Sequence, residues 1–309
     1  GRGAPPPGMI PIPGGWFRMG SEAFYPEEGP VREVGAGPFW IDPAPVTNAD
    51  FARFVTATGY VTTAETAPRA EDYPGAQPEM LRAGSAVFLP DGASLARPMS
   101  WWTFLHGADW RHPYGPETTL DGLSDHPVVH ITHADAAAFA AWAGKALPTE
   151  AEWEFAARGG LAGCDYAWGD ELAPGGRHMA NTWQGAFPGE NLAEDGFART
   201  SPVGAFPANG FGLYDMIGNV WEWTEDWYAH HHPAAPESPC CGGPPPRGVS
   251  REASVEPSDP SRVPRKVVKG GSHLCAPNYC RRYRPAARHP QAVDTSTTHI
   301  GFRCVWRPA

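Results

Sequence analysis

The sequence predicts a loop-rich globular fold that combines short strands with short helices. The chain has 36 glycines and 36 prolines in 309 residues, both above average usage, which favours turns and short elements. Its 13 tryptophans can supply large, rigid core side chains where regular structure is scarce. A chain of this length, with 41% hydrophobic residues, can form one large domain or two ordinary ones.

The first predicted elements are strands. Residues 9–20 read as a short strand, a turn at Gly14-Gly15 and a second short strand. Residues 31–41 read as one further strand that ends at Phe39-Trp40-Ile41.

Three predicted helices begin with a threonine that is followed three residues later by an acidic residue. The three pairs are Thr47 with Asp50, Thr132 with Asp135, and Thr149 with Glu152. In such a capping box each side chain accepts a hydrogen bond from the backbone N–H of the other residue. Glycines at positions 59, 144 and 159–160 are predicted to end the helices.

The remaining segments show no clear period. Residues 60–130 read as irregular, and Trp101, Trp102 and Trp110 within them are predicted mainly as core. Residues 161–228 read as long loops that need an internal anchor, for which a bound metal ion is one solution. Residues 233–264 resemble a linker in composition, but the 45 residues that follow (265–309) are too few for a separate core. We therefore expect one domain over residues 9–309 with a mobile surface insertion at 233–264.

Charge, hydropathy and cysteine usage exclude several classes of protein. The net charge of −10 argues against nucleic-acid binding, and no apolar run is long enough for a transmembrane helix. Residues 1–8 show no apolar core of a signal peptide and are expected to be disordered or derived from a tag. Six cysteines are too sparse for a disulfide scaffold, so we expect a reducing compartment. Motifs for phosphate binding, dinucleotide binding, zinc peptidases and serine hydrolases are absent.

Cys275 and Cys280 form the candidate reactive centre. Gly270-Gly271 precedes them, and three of the four residues after Cys280 are arginines, at positions 281, 282 and 284. Nearby positive charge favours the thiolate, which is both the nucleophile and the metal ligand. Two sulfur ligands without a neighbouring histidine favour a soft metal such as Cu(I), and the spacing lies outside the usual structural zinc patterns. An ordinary buried cysteine beside a solvated arginine patch remains an alternative.

Two stretches offer oxygen ligands of the kind that Ca²⁺ prefers. One lies between Asn181 and Phe197 and includes Asp195, and the other spans residues 212–223. From spacing alone, ordinary turns and caps are the favoured alternative. His130 and His133 are expected to be structural, and residues 230–232, three histidines, are expected to be a solvated surface run.

Several motifs resemble those of the formylglycine-generating enzymes, also called sulfatase-modifying factors, and in particular their actinobacterial members. They are Gly-Gly-Trp-Phe-Arg-Met-Gly-Ser at residues 14–21, Trp-Arg-His-Pro-x-Gly-Pro at 110–116, Trp-Ala-Gly-Lys-x-Leu-Pro-Thr-Glu-Ala-Glu-Trp-Glu at 142–154, Gly-Leu-Tyr-x-x-x-Gly-Asn-Val-Trp-Glu-Trp at 212–223, Gly-Gly-Ser-x-x-Cys-x-x-x-Tyr-Cys at 270–280 and Gly-Phe-Arg-Cys at 301–304. The middle motifs are shared with the wider superfamily, whereas the cysteine pair marks the formylglycine branch.

The resemblance implies a single α+β domain with little regular structure, related to the C-type lectin fold. The implied activity is the oxidation, by O₂, of a cysteine in a Cys-x-Pro-x-Arg motif of an unfolded sulfatase polypeptide to Cα-formylglycine. The implied cofactors are Cu(I), which the substrate cysteine joins as a third thiolate, and structural Ca²⁺. We expect a cytoplasmic, bacterial, monomeric enzyme that binds neither nucleic acid nor a membrane.

Site residues carried over from the family are expectations of the same kind. Cys275 and Cys280 would hold copper, Ser272 and Tyr279 would flank it, and Trp102 and Trp221 would line a peptide groove. The first calcium site would comprise Asn181, Thr182, Asp195 and Phe197. The second would comprise Asp215, Met216, Gly218 and Val220, with Glu222 in reach.

The sequence departs from the family pattern in two respects. Ala140, Ala157 and Pro285 replace disulfide cysteines of the vertebrate enzymes and leave Cys304 alone, while His299 replaces an expected asparagine. Two other functions stay open: a non-haem iron sulfoxide synthase, and a non-catalytic, calcium-stabilised lectin-like module. A metal-free thiol–disulfide switch is a lesser variant.

Overall fold

Three helices and eleven short strands make up the α+β fold of the computed structural model, which describes residues 4–232 and 248–308. The helices are α1 (Asn48–Thr58), α2 (His133–Trp142) and α3 (Glu150–Arg158). The strands are β1 (Ile10–Ile12), β2 (Gly15–Met19), β3 (Arg32–Ala36), β4 (Phe39–Ile41), β5 (Gly84–Phe88), β6 (Trp102–His106), β7 (Trp221–Trp227), β8 (Arg265–Lys269), β9 (Arg288–Ala292), β10 (Ile300–Gly301) and β11 (Val305–Trp306). None of the helices in the described part of the chain is long and apolar enough to cross a bilayer.

The three predicted capping boxes are all present. In α1 the Thr47 hydroxyl accepts from the Asp50 backbone N–H at 3.1 Å, and the Asp50 carboxylate accepts from the Thr47 N–H at 3.2 Å. The same reciprocal pairs begin α2 and α3. Gly59 and Gly159 end α1 and α3 in the left-handed conformation, at φ values of 68° and 57°. The predicted helix starts and the ends of α1 and α3 are therefore confirmed, because they rest on contacts within one turn. Helix α2 ends earlier than predicted, with Ala143 rather than Gly144 as its C-cap.

Four small sheets surround the helices, and one of them positions the cysteines. This sheet has the order β10-β7-β8-β9, with β7 antiparallel to β8 and parallel to β10. The other sheets are β1-β4-β11, β2-β3 and β5-β6. Since Cys275 and Cys280 lie between β8 and β9, the four-stranded sheet holds both ends of the cysteine segment.

Two sequence predictions about strands were wrong. Residues 31–41 form two strands, because the chain leaves its pairing with β2 at Gly37-Pro38 and then joins β1 and β11 as β4. Proline cannot donate to a sheet ladder, which suits a break at this point. The stretch 60–130 is not wholly irregular, since β5 and β6 pair along five residues.

The three tryptophans that were predicted mainly as core differ in burial. Trp101 and Trp110 are buried, with 2% and 3% of their surface exposed, whereas Trp102 is only partly buried. A small apolar cluster formed by Trp101, Trp183, Phe187, Leu274 and Ala276 packs beside the cysteines.

The domain limits stay a prediction. Residues 233–247 of the expected insertion, with Cys240 and Cys241, lie outside the described residues. In its described part, Ser254 is buried and its hydroxyl accepts a hydrogen bond from the Arg265 N–H at 3.0 Å.

Candidate active site

The turn that leads into the cysteine segment depends on two glycines. Gly270 and Gly271 have φ values of 93° and 70°, a region that side chains disfavour. A Cβ atom at Gly271 would lie 2.9 Å from the carbonyl oxygen of Arg282, and one at Gly270 would lie 2.7 Å from that of Met216. The predicted need for a tight turn and a close approach is confirmed. The turn brings the chain on either side of the cysteines together.

The two cysteine sulfurs face each other at 3.1 Å, and both cysteines are free. Cys275 is buried, and the Ser272 backbone N–H donates to its sulfur at 3.4 Å. The Cys280 N–H donates to the Ala276 carbonyl at 2.9 Å, which closes a turn between the two sulfurs. The C-x4-C spacing therefore folds into a convergent pair of soft ligands.

The thiols differ in acidity. The hydrogen bond from Cys275, followed by the positive charge of Arg282, lowers the pKa of Cys280 to about 7. Burial raises the pKa of Cys275 well above its ordinary value, and the neighbouring Cys280 raises it further. Cys280 is thus the more acidic thiol of the pair.

The sequence predicted that three arginines favour the thiolate, but only Arg282 lowers the pKa values of the cysteines. Arg284 forms a buried ion pair with Glu28, and Arg281 lies 4.9 Å over the ring of Phe24. Arg282 lowers the pKa of Cys280, and its side chain lines the same space as the cysteines. Arg284 is therefore buried and Arg282 partly buried, whereas Arg281 is exposed.

A cavity with a volume of about 470 Å³ opens over the sulfurs. Its size lies within the range of ligand sites in proteins. All six residues that were predicted for catalysis and peptide binding line it: Trp102, Trp221, Ser272, Cys275, Tyr279 and Cys280. The other lining residues are Ala86, Met99, Trp101, Phe187, Leu274, Arg282, His289, Gln291, Thr295, Thr297 and His299.

Aromatic rings form most of the wall near the sulfurs. Tyr279 stacks on Phe187, with ring centroids 4.5 Å apart, and 42% of its surface is exposed. The Trp102 ring lies 4.7 Å from that of His299, and the Trp221 ring lies 5.6 Å from that of His289. The cavity therefore offers apolar surfaces near the sulfurs and polar groups on β9 and the segment before β10.

The two wall histidines are neutral. Burial lowers the pKa of His289 to about 4 and that of His299 well below its ordinary value. Nδ1 of His299 lies 2.5 Å from the Thr297 hydroxyl, which fixes the orientation of the ring. His299 was recognised from the sequence as a departure from the family pattern. The lining residues on β9, His289 and Gln291, were not recognised, because no sequence motif surrounds them.

The first set of predicted calcium ligands is brought together. The Asp195 carboxylate accepts from the Thr182 N–H and from the Phe197 N–H, both at 3.0 Å. Asn181 is fully buried; its amide nitrogen donates to the Arg199 carbonyl, while its Oδ1 has no hydrogen-bond partner. A buried amide oxygen without a hydrogen-bond donor suits a cation site.

The second set is brought together less completely. Asp215, at a φ of 53°, accepts from the Gly204 N–H at 2.7 Å and lies on the turn that carries Met216, Gly218 and Val220 into β7. The Glu222 carboxylate is already bound by the Arg303 guanidinium at 2.8 Å and by the Trp153 indole N–H. Asp215 and the backbone carbonyls are thus the better candidate ligands there.

Two other histidines that were singled out in the sequence are buried. His130 is buried between the Ser85 hydroxyl at 2.6 Å and the Pro113 carbonyl at 2.7 Å. His232 is buried too, so the expected solvated run extends only over residues 230 and 231.

Within residues 4–232 and 248–308 no group of three or more His, Cys, Asp or Glu side chains could hold a metal ion. The candidate metal sites therefore depend on the sulfur pair and on single carboxylates that are combined with amide and carbonyl oxygens.

Comparisons with known proteins agree with the motifs. The chain is 52% identical to the formylglycine-generating enzyme of Mycobacterium tuberculosis over 97% of its length and 98% of that protein. It is 43% identical to the enzyme of the same name from Bos taurus, covering 98% of this chain and 76% of that one. Among solved structures, PvdO from Pseudomonas aeruginosa superposes with a TM-score of 0.65 at 25% identity, over 97% and 94% of the two chains.

The family described as the sulfatase-modifying factor enzyme 1-like domain matches residues 2–308, which is nearly the whole chain. By this match and by the identity to its bacterial and vertebrate relatives, the chain belongs to the sulfatase-modifying factor family of formylglycine-generating enzymes.

Proposed function

We propose that this protein converts a cysteine in a Cys-x-Pro-x-Arg motif of an unfolded sulfatase polypeptide to Cα-formylglycine, with O₂ as the oxidant and Cu(I) bound by Cys275 and Cys280. The observation that carries the proposal is the pair of free sulfurs, 3.1 Å apart, that face an aromatic-lined cavity. The curated relatives bear the name of this activity.

The donor set suits a soft monovalent ion. Thiolates select Cu(I). The two sulfurs are hydrogen-bonded to the Ser272 N–H and to each other, and within the described part of the chain neither sulfur is hydrogen-bonded to a carboxylate or an imidazole. The low pKa of Cys280 means that this ligand loses its proton readily, and metal binding would deprotonate Cys275 as well. When bound, copper would supply the redox chemistry that activates O₂.

The residues of the chain would bind and orient the peptide. Trp102 and Trp221 would form the walls of the groove, and the exposed Tyr279 would lie at its mouth. The Ser272 N–H would hold the Cys275 sulfur in place, and the buried aromatic cluster behind it would exclude water. The substrate CH₂–SH group loses two electrons and two protons, and one water supplies the aldehyde oxygen while the sulfur leaves as H₂S. Reduction of O₂ to water takes two further electrons, which a thiol reductant would provide.

Calcium would act on the fold rather than on the reaction. The first site would use Asn181 and Asp195 with the carbonyls of Thr182 and Phe197, and the second Asp215 with the carbonyls of Met216, Gly218 and Val220, with Glu222 adjacent. The unpartnered Asn181 oxygen supports the first site. A reducing, cytoplasmic compartment and a monomeric state remain part of the proposal, and the free state of the four described cysteines suits the former.

The test is direct conversion of a peptide. Protein reconstituted anaerobically with Cu(I) is mixed with a Cys-x-Pro-x-Arg peptide, O₂ and a thiol reductant. Mass spectrometry follows the conversion of CH₂–SH to CHO, in which oxygen replaces sulfur and two hydrogens are lost. We expect conversion by the wild type and none by Cys275→Ala or Cys280→Ala.

Cys304→Ala is the matched control, because Cys304 is also free and buried but does not line the cavity. Conversion that persists in both cavity variants, or a wild type that leaves the peptide unchanged, would refute the proposal. Conversion that requires iron and not copper would favour a sulfoxide-synthase-type reaction.

A further inference from the structure

A short N-terminal segment, residues 24–28, packs against the arginines that follow Cys280. We call it the strap; it reads Phe-Tyr-Pro-Glu-Glu and includes a short 3₁₀ helix, Pro26–Glu28. The Tyr25 hydroxyl accepts from the Arg281 N–H at 3.0 Å. Contacts across more than 250 residues of sequence thus fix the chain just after the second cysteine.

Glu27 binds the arginine that faces the cavity. Its carboxylate accepts from Nη2 of Arg282 at 2.6 Å, and the guanidinium lies 4.0 Å over the Tyr25 ring. Only 7% of the surface of Glu27 is exposed. Burial alone would raise the pKa of Glu27, but the hydrogen bond to Arg282, a backbone hydrogen bond and the positive charge of Arg282 together outweigh burial, and the pKa is lowered. Glu27 is therefore a charged, fixed partner of Arg282.

Arg282 connects the strap with the reactive sulfur. Arg282 lies two residues after Cys280 and lines the same cavity, and its charge and hydrogen bonds contribute to the lowered pKa of the Cys280 thiol. Its Nε is buried and has no hydrogen-bond partner, while Nη2 is held by Glu27. The orientation of the guanidinium is thus set from the side away from the cavity.

The neighbouring pair provides an internal comparison. Glu28 binds Arg284 through both carboxylate oxygens, and the guanidinium lies 3.7 Å over the Phe24 ring. This pair has the same chemistry and a similar origin in the strap, but Arg284 does not line the cavity. It is fully buried and serves the fold.

We propose that Glu27 is a positioning residue that acts through Arg282 to hold the Cys280 sulfur in the place where it converges with Cys275. The proposal rests on the proposed function in so far as the convergent pair binds Cu(I). Partners that orient a metal ligand influence metal affinity even though they do not touch the ion.

The test compares the two glutamates of the strap. Cu(I) affinity is measured anaerobically by competition with a colorimetric Cu(I) chelator, and kcat and KM are measured with the peptide. For Glu27→Gln we expect Cu(I) affinity to fall by about tenfold, with a lower kcat and a KM within about twofold of the wild type. For Glu28→Gln we expect a lower melting temperature and unchanged Cu(I) affinity.

Arg282→Lys is a second variant in case Glu27→Gln folds poorly. Lysine keeps the positive charge but lacks the planar fork that can contact Glu27 and the cavity side together, so we expect the Cu(I) affinity to fall here too. Wild-type affinity in Glu27→Gln would overturn the proposal, and so would an equal loss in Glu28→Gln. A wild type that binds Cu(I) but converts no peptide would refute the proposed function only, because the affinities would still decide the role of Glu27.

Discussion

The side-chain oxygen of Asn181 is buried without a donor, although its amide nitrogen is fully used. Leaving such a group unsatisfied costs on the order of 1–3 kcal/mol, so native proteins usually give it a partner. A cation between Asn181 and Asp195 would provide one. The proposed calcium site can therefore be tested by a substitution that removes this single oxygen.

We expect EGTA to lower the melting temperature of the wild type and excess Ca²⁺ to restore it. A ligand at one hundred times its Kd stabilises a fold by about 2.7 kcal/mol. Asn181→Ala should be less stable and should respond much less to calcium, as measured by differential scanning fluorimetry. Asn191→Ala, a change in the same loop region outside the predicted ligand set, should keep the full response. A wild type that is indifferent to EGTA would contradict the site.

Trp102 allows a second test at the level of a residue, because its ring lies on the cavity wall against His299. Removing an aromatic wall should weaken peptide binding more than it slows the reaction. We expect Trp102→Ala to raise KM about tenfold, which corresponds to about 1.4 kcal/mol. Phe104→Ala is the control, since Phe104 lies two residues further along β6, is exposed, and does not line the cavity. Equal KM values for both variants would argue against a peptide wall at Trp102.

Among the elements, the turn at Gly270-Gly271 determines whether the cysteine segment can close. Gly144 has nearly the same backbone conformation as Gly271, with φ values of 67° and 70°. Around Gly144, however, a Cβ atom would meet nothing within 4 Å, whereas at Gly271 it would meet the Arg282 backbone. Alanine at Gly144 would therefore suffer backbone strain alone, whereas alanine at Gly271 would suffer backbone strain and a steric clash.

We expect Gly144→Ala to cost about 1 kcal/mol of unfolding free energy, from its left-handed conformation alone. Gly271→Ala should cost clearly more, because the carbonyl of Arg282 must move, and it should also weaken Cu(I) binding. Urea unfolding and chelator competition measure the two effects. If Gly271→Ala behaves like Gly144→Ala in both assays, the close approach does not control the sulfur pair.

The elements also show which structures could be predicted from sequence. The helix starts were predictable because Thr47 and Asp50 satisfy each other within one turn. The β5-β6 hairpin was missed because thirteen residues, 89–101, separate its strands, and no short turn motif links them. Residues 31–41 were misread because strand propensity does not indicate a change of partner at Gly37-Pro38.

The same distinction holds for the site. Cys275, Cys280, Ser272 and Tyr279 lie within nine residues and could be recognised together. Phe187, Gln291 and Thr295 enter the cavity from distant segments that have no motif of their own. Glu27 was invisible as well, because its role depends on a contact with Arg282 across the whole chain.

At the scale of the whole molecule, the burial of histidines makes the stability of the fold sensitive to acid. Burial lowers the pKa values of five histidines to about 4, and these are His130, His133, His232, His273 and His289. In the unfolded chain a histidine titrates near 6.5. Between pH 6.5 and 4 the unfolded state therefore binds more protons than the folded state. The stability that these neutral histidines contribute is fully present above pH 6.5 and is lost as the pH falls through this window.

His130 can test this argument away from the cysteines, because it is fully buried between Ser85 and Pro113. At pH 5, a shift from 6.5 to about 4 corresponds to about 2 kcal/mol of lost stability from this residue. His130→Asn keeps a neutral polar group that tolerates the positive φ of 60° at this position. The variant should be less stable than the wild type at pH 7.5, but its unfolding free energy should fall about 2 kcal/mol less between pH 7.5 and pH 5. Urea unfolding at both pH values measures this difference, and parallel losses in the two proteins would show that His130 does not stay neutral in the fold.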